Sequence, residues 1–277
     1  MITLKAPEDL NWDVITAVAY EQARFDIAPE LLASVERGRG IFNELIEAGA
    51  PCYGVTTGLG RLSTTDLSKE ARDAISRNIL LARAAAFGEP LPRPVVRAMM
   101  MVRLANFLSG QDGVSAELCQ FIAARLNDDF DPFVPALGHG FAADGTPNAH
   151  CFQTLIGEGR VLDPDGEPVA AAAALSARGV DPYSPGSKEG LALINGITAL
   201  PAYAIYAHRQ VSALQEFATL VAAVSLEALA APKDAIHPAL ARSNGAGVGK
   251  VIERLNQLLE GSRVTPYKLQ AAISLRI

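Results

Sequence analysis

From Ser187, a natural helix cap, to Ala230 the chain reads as one very long helical stretch, interrupted only at Pro201. Pro201 should kink that helix or remove one of its hydrogen bonds. Alanine is abundant along it, so neighbouring helix backbones can approach closely. Four more helices are signalled upstream. They are 29–48, with proline in the first turn and a Gly49-Ala50-Pro51 stop; 67–87, ending at Gly88; 92–108, with a broad apolar face; and 115–127, capped by Ser115. A last helix covers 248–259, and the tail to Ile277 is ambiguous.

Strand signals are scarce. The best is Arg160 to Val169, where Asp163-Pro164-Asp165-Gly166 reads as the turn of a small hairpin, too short to seed a sheet. No repeat, charge block or low-complexity linker separates two domains. The expectation is all-α: one elongated helical bundle over 1–277 with at most a small β-hairpin, assembling as an oligomer.

Composition removes several function classes. With 49% apolar residues and 24 basic against 30 acidic side chains, a net charge of −6, the chain is neither disordered nor basic enough to replace phosphate counterions. No nucleic-acid partner is expected. Cys52, Cys119 and Cys151 are odd in number and far apart, which suits reduced thiols rather than a disulfide framework. His150 and Cys151 are adjacent and would point in different directions from a helix, so no metal site is expected. The start, Met1 to Asp13, has no basic segment leading into an apolar one. The longest uncharged run, Gly190 to Ala207, is barely membrane-length and contains Asn195, Gly196 and Pro201. A cytoplasmic protein without a membrane partner is the reading.

Three segments could carry chemistry. Tyr53-Gly-Val-Thr-Thr-Gly-Leu-Gly60 gathers three glycines and two threonines beside one tyrosine. It is either an interhelical turn or a loop that brings backbone close to a ligand. In 188–197, Asn195 sits in otherwise apolar helix, where an amide needs partners, from neighbouring backbone or from a substrate. Between Gly138 and His150 lies a polar stretch with two histidines that could do acid–base work or simply face solvent.

Taken together, these segments resemble the histidine/phenylalanine ammonia-lyase family along essentially the whole chain. The family's YGxNTGxG loop matches Tyr53 to Gly60, with Thr56 at the Asn place. Its LLNG motif matches Leu193-Ile194-Asn195-Gly196. Its RNL…GEPLP segment is similar to Arg77-Asn78 through Gly88-Glu89-Pro90-Leu91-Pro92. Ile156 to Gly159 and Ser225 to Ala228 match further signatures. Gln270 to Arg276 resembles the family's Q-x-P-Y-S-x-R. The resemblance implies a helical bundle of the ammonia-lyase type, akin to fumarase and aspartase. It also implies Tyr53 as catalytic base and Asn195, Arg276, Gln270 and Gly60 as substrate contacts.

The departures matter as much. These lyases make a methylidene-imidazolone electrophile from an Ala-Ser-Gly tripeptide, whose serine becomes the methylidene. Here the place reads Phe141-Ala142-Ala143-Asp144-Gly145, and alignment from either side puts alanine, Ala142 or Ala143, at the serine position. The prosthetic group should not form, so no cofactor is expected. The second catalytic tyrosine is replaced by Ile273. Where the family often has Ser-His or an apolar pair, Leu80-Leu81-Ala82-Arg83 presents Arg83, which either binds a substrate carboxylate or pairs with Glu89 or Asp73.

Three readings follow. One is a subunit of a lyase-family enzyme that works without the electrophile, eliminating or isomerising a small acidic amino-acid-like carboxylate, with a separate polypeptide resembling the family's C-terminal half as partner. The second is a non-catalytic structural subunit. The third is a module that senses an amino acid in the same pocket.

Overall fold

The computed structural model describes residues 1–139, 142–242 and 245–263. They form ten α-helices: α1 (Trp12–Tyr20), α2 (Pro29–Glu47), α3 (Lys69–Arg83), α4 (Arg93–Leu108), α5 (Ala116–Asn127), α6 (Gly145–Phe152), α7 (Ala171–Ala177), α8 (Glu189–Ile194), α9 (Ala199–Ala228) and α10 (Gly245–Leu258). Helix starts follow local chemistry. Asn11 accepts from the Asp13 and Val14 amides, Ser68 from that of Ala71, and Ser115 from that of Leu118. Pro29 opens α2, where its missing N–H costs nothing.

The strands are short and make three small sheets rather than one hairpin. β1 (Ile2–Leu4) pairs in parallel with β2 (Phe25–Ile27). β3 (Phe87–Pro90) pairs antiparallel with β5 (Pro135–Leu137). β4 (Asp131–Pro132) lies beside the expected hairpin of β6 (Arg160–Leu162) and β7 (Pro168–Ala170). The 67–87 helix is shorter than its pattern suggests: it ends at Arg83, because Phe87–Pro90 is drawn into pairing with β5.

Two compact units divide the chain, Met1–Tyr206 and Ala207–Ile277, with the boundary inside α9. In the first, α4 is the central element. Val95, Met99, Met100, Met101 and Leu104 are fully buried among α1, α2 and α5. In the second, Ala223, Leu226, Ile236, Leu255 and Leu259 form a small core.

Two buried polar groups hold the first unit. Arg97, 2% exposed, donates to the Val18 and Leu126 carbonyls and pairs with Asp131 at 3.2 Å. Glu189, 1% exposed, accepts from the Ser115 amide and hydroxyl, the Tyr183 phenol and the Gly186 amide. Every oxygen of that carboxylate is satisfied without a cation, and α8 is thereby fixed to the start of α5.

The long helical stretch from 188 is not continuous. It breaks at Asn195 to Thr198 and not at Pro201. Pro201 lies in the first turn of α9, where the amide it lacks has no intrahelical partner to lose. The break comes from Gly196, at φ +136°. By composition the stretch Glu189–Ala228 would pass for a membrane span, but half of its most apolar window is buried within the protein.

Candidate active site

The 53–60 loop is tied into a compact turn. The Cys52 carbonyl accepts from the amides of Val55, Thr56 and Thr57 at 3.1, 2.9 and 3.3 Å. Thr56, where the family pattern has asparagine, is buried and accepts from the Cys52 amide at 2.7 Å. Gly54, at φ +69°, lies so close to Leu59 and Leu191 that a Cβ would come within 2.7 and 2.8 Å of their side chains. This close packing sets Tyr53 at the rim, half-exposed, with its oxygen accepting from the Gly60 amide at 3.0 Å.

Tyr53 borders a cavity of about 510 Å³. Arg83 enters it from the end of α3, Gly145 and Thr146 from the start of α6, and Asn195 from the end of α8. Leu59, Ile79 and Leu191 supply apolar wall. Three side chains far apart in sequence, Tyr53, Arg83 and Asn195, thus face one space. Gly60 is outside the lining and acts on the cavity through its bond to Tyr53. Gln270, Arg276 and Ile273 lie outside the described residues. Arg83 is exposed and forms no ion pair with Glu89 or any other described carboxylate.

The wall behind Asn195 is built by residues that the sequence patterns do not single out. Asn195 is not inside a helix but at the C-cap of α8, extended and exposed. The buried amide with backbone partners is Asn148 instead. Fully buried on α6, it donates to the Ile194 and Gly196 carbonyls at 3.1 and 3.0 Å and accepts from the Thr198 hydroxyl. Asp144 accepts from the Thr198 and Ala199 amides at 2.9 and 2.8 Å, capping α9. Just before it, Ala143 has φ +64°, so two consecutive non-glycine residues occupy the left-handed region. The Ala143 carbonyl accepts from the Gly196 amide at 3.3 Å.

Beneath Gly196 lies Arg103 of α4, 2% exposed. A Cβ on Gly196 would stand 2.2 Å from its Nη2, so both the left-handed φ and the guanidinium require glycine there. Nε and Nη2 of Arg103 have no hydrogen-bond partner among the described residues. Burial pulls its pKa down, and Asp112 and Asp144 oppose that pull.

His150 is helical and half-buried, not on a loop. Its Nε2 accepts from the Ala86 amide at 2.9 Å, and burial, then His139 and Arg160, push it down to about 4. Neither it nor His139 lines the cavity. Among the described residues no group of His, Cys, Asp or Glu could hold a metal ion.

The sequence model of the family described as aromatic amino acid lyase matches residues 10–277. The chain belongs to the aromatic amino acid lyase family. A histidine ammonia-lyase of Streptomyces avermitilis is 36% identical over 270 residues, 95% of this chain and 53% of that protein. One from Symbiobacterium thermophilum is 37% identical over 253 residues, 91% of this chain and 50% of that protein. Among solved structures, a tyrosine aminomutase of Streptomyces globisporus superposes with a TM-score of 0.87 at 29% identity, covering 95% of this chain and 50% of that one. The chain spans about half the length of the family members it matches. None of its residues from 141 to 145 carries the hydroxyl from which a lyase of this family would make a methylidene.

Proposed function

We propose that this family member eliminates or isomerises a small, acidic, amino-acid-like carboxylate without a methylidene-imidazolone group. What carries the reading is the convergence of Tyr53, Arg83 and Asn195 on one cavity. The residues at 141–145 do not fit the prosthetic group: cyclisation and loss of water need a serine side chain, and Ala142 and Ala143 end in methyl groups. No step is routed through it. Tyr53, as general base, takes the proton from the carbon beside the leaving group. The freed electron pair becomes the new double bond, and the leaving group departs with the electrons of its own bond. Without an electrophile to activate an amine, the substrate needs a better leaving group or a more acidic proton than an ordinary amino acid offers. Arg83 holds an acidic side chain, Asn195 the substrate's polar backbone, and Arg276 and Gln270 its α-carboxylate.

A partner polypeptide is part of the proposal. Val211, Leu214, Phe217, Val221 and Val224 recur at helical spacing along α9, each about half or more exposed, a stripe that favours cover by another chain. The alternative, a non-catalytic subunit, is favoured by Ile273 in place of the second tyrosine.

The test is deuterium exchange into a panel of acidic amino acids and dicarboxylates, with the chain alone and with co-purified partner. Exchange next to the leaving group, lost in Tyr53→Phe, is the expected result; no exchange with any panel member in the complex would leave the non-catalytic reading standing. Intact mass checks the prosthetic group separately, since a deficit of two waters would refute its absence.

A further inference from the structure

We infer that Thr146 and the open first turn of α6 form, together with Arg83, a carboxylate subsite in the cavity wall; this rests on the acidic-substrate reading above. Helix N-termini carry a partial positive charge and free amides, and are usually closed by the side chain of the capping residue. At α6 that residue is Asp144, which is left-handed and makes no bond to its own helix. Its carboxylate is committed to the Thr198 and Ala199 amides. The start of α6 is therefore uncapped, and Gly145 and Thr146 border the cavity.

Thr146 is the second, independent observation. It is 8% exposed and lines the cavity, yet its hydroxyl bonds no described group. The residue is packed but its oxygen is not sealed off: it is open to the cavity and free to donate to a ligand oxygen. Arg83 is the only charged side chain among the described residues bordering this cavity, and no described carboxylate pairs with it. A guanidinium, a hydroxyl and a helix N-terminus around one space suit a carboxylate: one group to fork onto Arg83, with lone pairs to spare for Thr146 and the α6 amides.

The test is calorimetric titration of the full chain with succinate, in wild type, Thr146→Val, Thr146→Ser and Arg83→Met. Wild type should bind. Thr146→Val, which keeps shape and removes the hydroxyl, should bind about tenfold more weakly, while Thr146→Ser stays within about twofold of wild type and Arg83→Met loses binding. Absence of succinate binding to wild type, equal binding by Thr146→Val, or equal weakening in Thr146→Ser would each overturn the subsite. If circular dichroism shows that Thr146→Val does not fold, Thr146→Ala takes its place. The two proposals fail separately. Thr146-dependent succinate binding with no proton exchange on any substrate sinks the catalytic reading alone. Tyr53-dependent exchange with no role for Thr146 sinks the subsite alone.

Discussion

Arg97 and Arg103 lie on one helix, α4, and are equally buried, but their surroundings are opposite. Around Arg97 the chain folds back to meet it: two carbonyls from α1 and α5 accept its N–H groups, and Asp131 neutralises it. Around Arg103 the Phe107 ring lies against the guanidinium, its centre 5.5 Å away, but no described acceptor closes in. Two of its nitrogens are unmet, and the nearest backbone, Gly196, is pressed against the guanidinium without accepting from it. The first region is organised for stability. The second places a poorly solvated cation beneath the segments that carry Asn195, Ala143 and Asp144, where the family normally builds its electrophile. The difference teaches that burial alone does not mark a charge as structural; the accounting of its donors does.

Substitutions can break this comparison. The largest loss is expected at Arg97→Met, which removes three bonds to carbonyls, leaves Asp131 with only Arg93 at 3.6 Å, and should cost about 3–5 kcal/mol in chemical denaturation. A mild effect there would mean that the network is not holding α1, α4 and α5 together. Next comes Gly196→Ala, where a left-handed φ and contact with Arg103 should together cost about 2–4 kcal/mol. The double variant Gly196→Ala with Arg103→Met should recover part of that loss, and strict additivity would deny that the two touch.

A smaller effect distinguishes the regions by pH. His150 ordinarily titrates near 6.5 but is held at about 4 in the folded protein. Between those values the unfolded chain takes a proton that the folded chain refuses, so stability falls as pH drops through the window and levels off below it. With His150 only half-buried the loss is about 1 kcal/mol, and His150→Gln should flatten the slope. Arg103→Met is expected to matter least, within about 1 kcal/mol of neutral in either direction, because it removes a buried charge that lacked partners. A cost equal to that of Arg97→Met would show that Arg103 is as well satisfied as its neighbour.

Much of the fold is legible in the sequence because caps and stops are local. Pro29 and Ser115 open helices where their chemistry says they should, and Asp163 to Gly166 turns the hairpin. The candidate site is signalled in the sequence by Tyr53 and Asn195, which match family motifs, and by Arg83, which departs from the family pattern; the three border one cavity. What escapes the sequence depends on contacts between distant segments. Pro201 looks like the breaker of the long helix, yet the break is fixed by Gly196 against an arginine of α4. Asn195 looks like the buried amide, yet Asn148 takes that role, a residue whose own neighbourhood carries no signal of it. The pairing of Phe87–Pro90 with β5, which shortens α3, likewise has no local cause.

Asp144 has one more consequence. Its backbone begins α6 while its carboxylate begins α9, so one residue behind the cavity ties the segment that lines it through Gly145 and Thr146 to the segment that follows Asn195. Loosening either segment gives up the bonds that hold the other, so 144–148 and 194–199 are expected to open together. A ligand that holds Thr146 on one of these segments therefore steadies Asn195 on the other as well.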